Sequence, residues 1–236
     1  MTTPTLSVII PVYNEERTLP GVVEIVRTWG KAAEIIVVND GSTDDTVASV
    51  KQFGKTVQVI SYKKNKGKAF AMVAGVKIAK ARYVLFLDGD LIGLTHRDLD
   101  RLIAPVIRKQ AVMTIGVRQT NKKRPNLAKP IGGERAIKRD DLLPILGEIK
   151  HLGYGVELFL NNYFKKRDVR YVNMPFVSIL TKYEKQTFQE GTVSYIKEAI
   201  DLTREVAKQQ TGNVTPHIKR LYKMILEYLK YATLGT

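Results

Sequence analysis

The chain has 236 residues and no cysteine, which excludes a disulfide framework and thiolate metal sites and leaves room for one large α/β domain, with or without appendages. Its formal net charge of +15 is lopsided: residues 1–100 carry 13 Lys/Arg against 11 Asp/Glu, and residues 101–236 carry 25 against 12. A basic surface on the second part suits nucleic acid, anionic lipid headgroups or phosphorylated substrates, and composition does not choose among them.

Leu6 to Pro11 is a short apolar run ended by proline and reads as a first strand. A polar loop, Val12 to Glu16, leads into a helix from Thr18 to Trp29 with Val22, Ile25, Val26 and Trp29 on one face. Glu34 to Val38 is a second strand, ending at Asn39-Asp40-Gly41. Ser42-Thr43-Asp44-Asp45 has capping-box spacing and predicts a helix packing through Val47, Val50 and Phe53. A third strand, Val57 to Ser61, ends at the basic loop Lys63 to Lys68, and a small-residue helix from Ala69 to Lys80 follows.

The fourth strand, Tyr83 to Leu87, stops abruptly at Asp88-Gly89-Asp90. Residues two apart in an extended chain point to the same side, so both carboxylates can aim at one spot, and Gly89 lets the chain bend there. Two converging hard oxygens suit Mg²⁺ or Mn²⁺, which also takes phosphate oxygens and water. Four alternations of strand and helix within 90 residues predict a doubly wound, mostly parallel, Rossmann-like sheet, in which ligands bind outside the carboxyl ends of the strands. Tyr13, Asn14, Glu15, Asp40, Lys68, Asp88 and Asp90 would meet there.

Pro11-Val12-Tyr13-Asn14-Glu15-Glu16, the segment Val38 to Thr46, Asn65-Lys66-Gly67-Lys68-Ala69 and Asp88-Gly89-Asp90 closely resemble the successive motifs of glycosyltransferase family 2, the inverting GT-A enzymes, over roughly residues 5–180. The resemblance implies that Pro11, Tyr13, Asn14, Glu15 and Asp40 hold the base and ribose of a nucleotide-diphosphate sugar, UDP- or GDP-linked. It also implies that Asp88 and Asp90 hold the metal at the donor diphosphate, with Gly89 beside the donor and Lys68 as a possible further cation. A metal at that position offsets the charge that grows on the leaving nucleoside diphosphate.

Thr95-His96-Arg97-Asp98 repeats the capping-box spacing and opens a helix through Leu99, Leu102 and Ile103 toward Pro105; His96 is expected on its surface. Ala111 to Val117 reads as a strand, followed by a basic loop from Arg118 to Lys129. Ile131 to Ile137 looks like the family's acceptor segment, with Gly133 and Glu134 in it, and a helix is expected from Asp140 to Leu146. Many members then carry Glu-Asp before a helix, the acid serving as catalytic base. Here Glu157 alone opens that helix, which puts the base in question.

A sugar hydroxyl needs such a base, whereas a phosphate acceptor is already anionic and needs cations. The acceptor segment resembles that of polyprenyl- and dolichol-phosphate glycosyltransferases, which makes Arg118, Arg135 and Lys182 candidate phosphate clamps. The expectation is therefore transfer to a lipid-linked phosphate, with a soluble sugar or glycan hydroxyl as the alternative. From another class, a nucleotidyltransferase would share the sheet, the paired carboxylates and the basic loop. A nucleic-acid binder fits the pI of 9.8, but the near-neutral first part and the lack of interleaved aromatics in the basic loops count against one.

Arg170 to Pro175 reads as a late strand that completes a catalytic unit of residues 1–185, comprising a nucleotide-sugar part, 1–100, and an acceptor part, 101–185. Residues 186–236 are expected to form a helical extension, Val193 to Lys208 and Thr215 to Tyr231. In the second helix Ile218, Leu221, Tyr222, Ile225, Leu226 and Leu229 make one apolar stripe flanked by Lys219, Arg220, Lys223 and Lys230. That stripe could pack on the protein, lie on an anionic membrane surface or join two subunits. No apolar run approaches the ~20 residues needed to span a bilayer, and Met1 to Ile10 does not read as a secretory signal. A cytoplasmic protein, peripheral to the membrane if its acceptor is a lipid, is expected.

Overall fold

A computed structural model describes residues 5–118, 132–164 and 167–179. Seven strands form one sheet in the order β3-β2-β1-β4-β7-β6-β8. The first four, β1 (Leu6–Val12), β2 (Glu34–Asn39), β3 (Gln58–Ser61) and β4 (Tyr83–Phe86), pair in parallel. The β-branched and aromatic content of the runs favours strand, and the helical segments between them supply the crossovers that parallel pairing requires.

Beyond β4 the parallel pattern breaks. β7 (Arg135–Lys138) runs antiparallel to both β4 and β6 (Met113–Arg118), while β8 (Val169–Met174) is parallel to β6. The sheet is mostly parallel, as expected, but β7 enters it from the opposite direction. Its first residue, Arg135, thus stands beside Phe86, the last residue of β4. A two-stranded ribbon, β5 (Leu91–Ile92) with β9 (Ser178–Ile179), was not foreseen and follows Asp90 directly.

Alternation along β1 divides the core. Leu6, Val8, Ile10 and Val12 face α1 (Leu19–Trp29) and α4 (His96–Ile107), and Ile9 faces α3 (Lys68–Ile78) on the opposite side. α3 lies very close to the sheet: a side-chain carbon at Gly75 would collide with Ile9. At the other end of the strands, Ser7 Oγ and the backbone N–H groups of Lys80 and Ala81 all donate to Glu34 Oε2.

The Thr95 box forms, with Asp98 N donating to Thr95 Oγ1 at 3.3 Å and Thr95 N to Asp98 Oδ2 at 3.1 Å. The one expected at Ser42–Asp45 does not. α2 (Thr46–Ser49) is a single turn continued by a 3₁₀ segment, Lys51–Thr56; both box residues are engaged by the facing loop, Ser42 Oγ accepting from Asn14 N and Asp45 N donating to Glu16 Oε2. The helix expected from Asp140 to Leu146 is divided at Pro144 into α5 (Arg139–Leu142), a 3₁₀ turn and α6 (Leu146–Ile149). α7 (Val156–Phe164) opens with Glu157 in its first turn. The helices expected beyond residue 186, and Lys182, lie outside the described residues.

Candidate active site

The carboxyl ends of β1, β2 and β4, the start of β7 and the N-termini of α3 and α7 converge. On the β1 side the loop Tyr13 to Glu16 is held by the loop after β2. Asn14 N donates to Ser42 Oγ at 3.0 Å, Asn14 Oδ1 accepts from Thr43 N at 2.9 Å, and Glu15 N donates to Thr46 Oγ1 at 2.8 Å. Asn14 adopts φ 57°, a left-handed conformation that asparagine tolerates better than most residues. Tyr13 is exposed beside it and Pro11 is half-buried in β1. The sequence offers Ser42 as a helix cap and Thr46 only as the end of a motif; that both anchor this loop is not legible there.

Asp40 is buried, and its two oxygens accept from Lys66 N at 2.9 Å and Gly67 N at 2.7 Å. It therefore fixes the basic loop that delivers Lys68 to the first position of α3. Gly89 is needed because a side-chain carbon there would press on Val12 Cγ1 at 2.7 Å, next to Glu15.

Three carboxylates and two cations then alternate across the site. Lys68 Nζ lies 2.7 Å from both Glu157 Oε1 and Asp88 Oδ1, and Arg118 Nη1 lies 3.9 Å from Asp88 Oδ2 and 3.2 Å from Glu134 Oε1. The row runs Glu157, Lys68, Asp88, Arg118, Glu134, and its ends are 5% and 0% exposed, so solvent screens it weakly. Gly133 stands against the Asp88 carboxylate; a side-chain carbon there would collide with both oxygens.

Burial sets the proton affinities. It pushes Glu134 up from 4.5 to about 7 against the opposing pull of Arg118, and it raises Glu157 against Lys68 and Arg135. For Lys68 burial works against the charge, but Asp88 and Glu157 outweigh it and hold the ammonium protonated well above the ordinary lysine range. Arg118 behaves alike, burial being outweighed by Glu134 and then Asp88.

Arg135 is fully buried in β7. Its Nε donates to the Gly132 carbonyl at 3.0 Å and its Nη1 to Asn161 Oδ1 at 2.7 Å, tying the start of β7 to α7. Asn161 lies four residues after Glu157 and so on the same helical face, and that i, i+4 spacing is the only signal of it in the sequence. Enclosed in this way, the Arg135 guanidinium offers no surface to a phosphate, unlike that of Arg118.

Among the described residues no three His, Cys, Asp or Glu side chains gather as a metal site. Asp88 and Asp90 could nevertheless hold an ion that completes its shell with phosphate oxygens and water, as Mg²⁺ commonly does. Asp88 follows the buried strand β4 by two residues and Asp90 lies in the turn after it, so the pair is not carried on extended backbone as the sequence suggests, but two hard carboxylates so close to the strand's end fit that requirement.

This arrangement is that of a GT-A glycosyltransferase: a mostly parallel sheet flanked by helices, with acidic and basic side chains gathered at its carboxyl edge. The chain belongs to glycosyl transferase family 2, whose family model matches residues 7–178. It is 29% identical over 125 residues to dodecaprenyl-phosphate galacturonate synthase of Rhizobium johnstonii, covering 50% of this chain and 37% of that protein. It is 38% identical over 99 residues to dolichyl-phosphate beta-glucosyltransferase of Drosophila melanogaster, covering 36% and 30% respectively. The chain thus spans well under half the length of these two relatives. In fold it resembles glucosyl-3-phosphoglycerate synthase of Mycobacterium tuberculosis, solved with Mn²⁺, UDP-glucose and phosphoglyceric acid (TM-score 0.66, 23% identity, 86% of this chain and 79% of that one). Among the described residues no helix is long and apolar enough to cross a membrane.

Proposed function

We propose that this glycosyltransferase moves a sugar, with inversion, from a nucleotide-diphosphate sugar to a lipid-linked phosphate at a membrane surface, using Asp88 and Asp90 to hold Mg²⁺ or Mn²⁺. The observation that carries the reading is the buried row of alternating charges. A phosphate entering it can take over cations that now serve carboxylates, and it needs no base to remove a proton. A divalent ion bound there would supply positive charge to the leaving diphosphate.

In this reading the rigid loop of Pro11, Tyr13, Asn14 and Glu15, with Asp40 beneath it, holds the nucleoside. Gly89 leaves room for the diphosphate, and Lys68 turns toward its oxygens. Arg118, the most exposed member of the row, receives the acceptor phosphate, with Gly133 and Glu134 behind it; Lys182 would join from outside the described residues. Arg135 acts indirectly, fixing Gly133 against Asp88 and Glu157 against Lys68. The names of the two curated relatives, both polyprenyl- or dolichyl-phosphate enzymes, support the choice of acceptor. Within the 1–185 catalytic unit, the contact with the membrane would be peripheral.

A hydroxyl acceptor is the second reading, and Glu157 favours it: a buried carboxylate with raised proton affinity is a competent base. The deciding experiment is release of nucleoside diphosphate from UDP-, GDP- and other nucleotide sugars with Mn²⁺ or Mg²⁺, with and without polyprenyl phosphate in detergent. Metal-dependent release that rises with the lipid supports the proposal; release that rises only with a soluble glycan sinks it. Glu157→Gln should lower turnover only mildly with a phosphate acceptor, and by about 100-fold or more if a hydroxyl must be deprotonated.

A further inference from the structure

Lys68 and a metal ion would compete for the same oxygen. Asp88 Oδ1 already accepts from Lys68 Nζ at 2.7 Å, and Glu157 anchors the same ammonium at 2.7 Å. Asp88 is hemmed in on two further sides: Gly133 comes so close that a side-chain carbon there would collide with both of its oxygens, and Arg118 lies 3.9 Å from Oδ2. A divalent cation arriving alone would therefore meet a carboxylate whose charge is already neutralised, with an ammonium a few ångströms off to repel it. A nucleoside diphosphate changes that balance. Its oxygens offer Lys68 a new partner, which the four-carbon stem can reach from the helix end, and they offer the metal the remainder of its shell.

We propose that Lys68 is a counterion lock on the metal site: it keeps divalent metal off Asp88 until a nucleoside diphosphate arrives, so that metal and nucleotide load together. The inference rests on the metal-holding role proposed above for Asp88 and adds an order of events to it. The free protein holds its site electrically closed, and the donor is the key.

The test is Mn²⁺ binding to the full chain, followed by electron paramagnetic resonance of the free ion, with UDP as the nucleotide probe. The unaltered protein should bind Mn²⁺ alone at least about tenfold more weakly than it does with UDP present. Lys68→Met should bind Mn²⁺ alone at least about tenfold more tightly than the unaltered protein, with a correspondingly smaller gain from UDP, and Lys68→Arg should behave as the unaltered protein does. Lys68→Gln keeps a donor between the two carboxylates, protecting the fold, and should show the same gain as Lys68→Met. If both neutral variants bind Mn²⁺ alone no more tightly than the parent, the lock does not exist. Asp88→Asn separates the two levels of failure. Loss of Mn²⁺ binding in that variant keeps Asp88 as a ligand even when the lysine variants fail, whereas unchanged Mn²⁺ binding overturns the metal site and the lock together.

Discussion

Asp40 and Asp88 end two parallel strands on either side of β1, yet they are neutralised in different ways. Asp40 spends its oxygens on the backbone N–H groups of Lys66 and Gly67, whereas Asp88 faces the side-chain cations Lys68 and Arg118. A backbone donor cannot leave without unfolding a loop; an ammonium on a flexible stem can. The first aspartate belongs to the framework that shapes the site. The second is held in a condition that a ligand can exchange.

The contrast is broken most severely at its exchangeable member. Asp88→Asn should reduce sugar transfer by about 100- to 1,000-fold with little change in melting temperature, as judged by steady-state rates and thermal denaturation. Asp40→Ala should do the reverse. Removing the acceptor of two part-buried N–H groups costs about 1–2 kcal/mol of stability in chemical denaturation, and donor affinity falls only because the loop carrying Lys68 loosens. If Asp40→Ala leaves stability untouched, the assignment of that carboxylate to the framework is wrong.

Gly133→Ala sharpens the comparison, since its methyl group would push the Asp88 carboxylate off its cations while leaving the chain near Asp40 undisturbed. About a tenfold fall in rate, with a normal circular dichroism spectrum, is the expected result. The smallest effect concerns Glu134. An unfolded chain loses this proton near 4.5, whereas the folded one keeps it to about 7. Between those values the folded protein holds the extra proton, so stability should fall as pH rises through this window. Glu134→Gln should flatten the pH dependence by about 1 kcal/mol or more, measured by urea denaturation at several pH values.

The framework half was largely legible in the sequence because its logic is local. Apolar runs of strand length, the Thr95 capping box and the breaks at Asp40 and Asp88 are each contained within a few residues. What escaped depends on distance. Glu157 meets Lys68 across 89 residues and Arg135 meets Asn161 across 26. Nothing near Arg135 in the chain says that an arginine opening a strand is to be fully buried, or that this strand runs against its neighbours. The absent Ser42–Asp45 cap has the same origin, since Asp45 N donates to Glu16 and Ser42 Oγ accepts from Asn14, both residues of the facing loop. Candidate site residues could thus be named before their partners could.

The close approach of α3 to β1 at Gly75 and Ile9 adds a mechanical consequence. The helix is a rod with Lys68 at its tip, and at 1.5 Å of rise per residue the tip stands about 10 Å from the contact that sets the rod's height. Two residues with no polar side chain between them thus set the height of the rod, and added bulk at Gly75 would lift the helix and carry the ammonium away from its carboxylates.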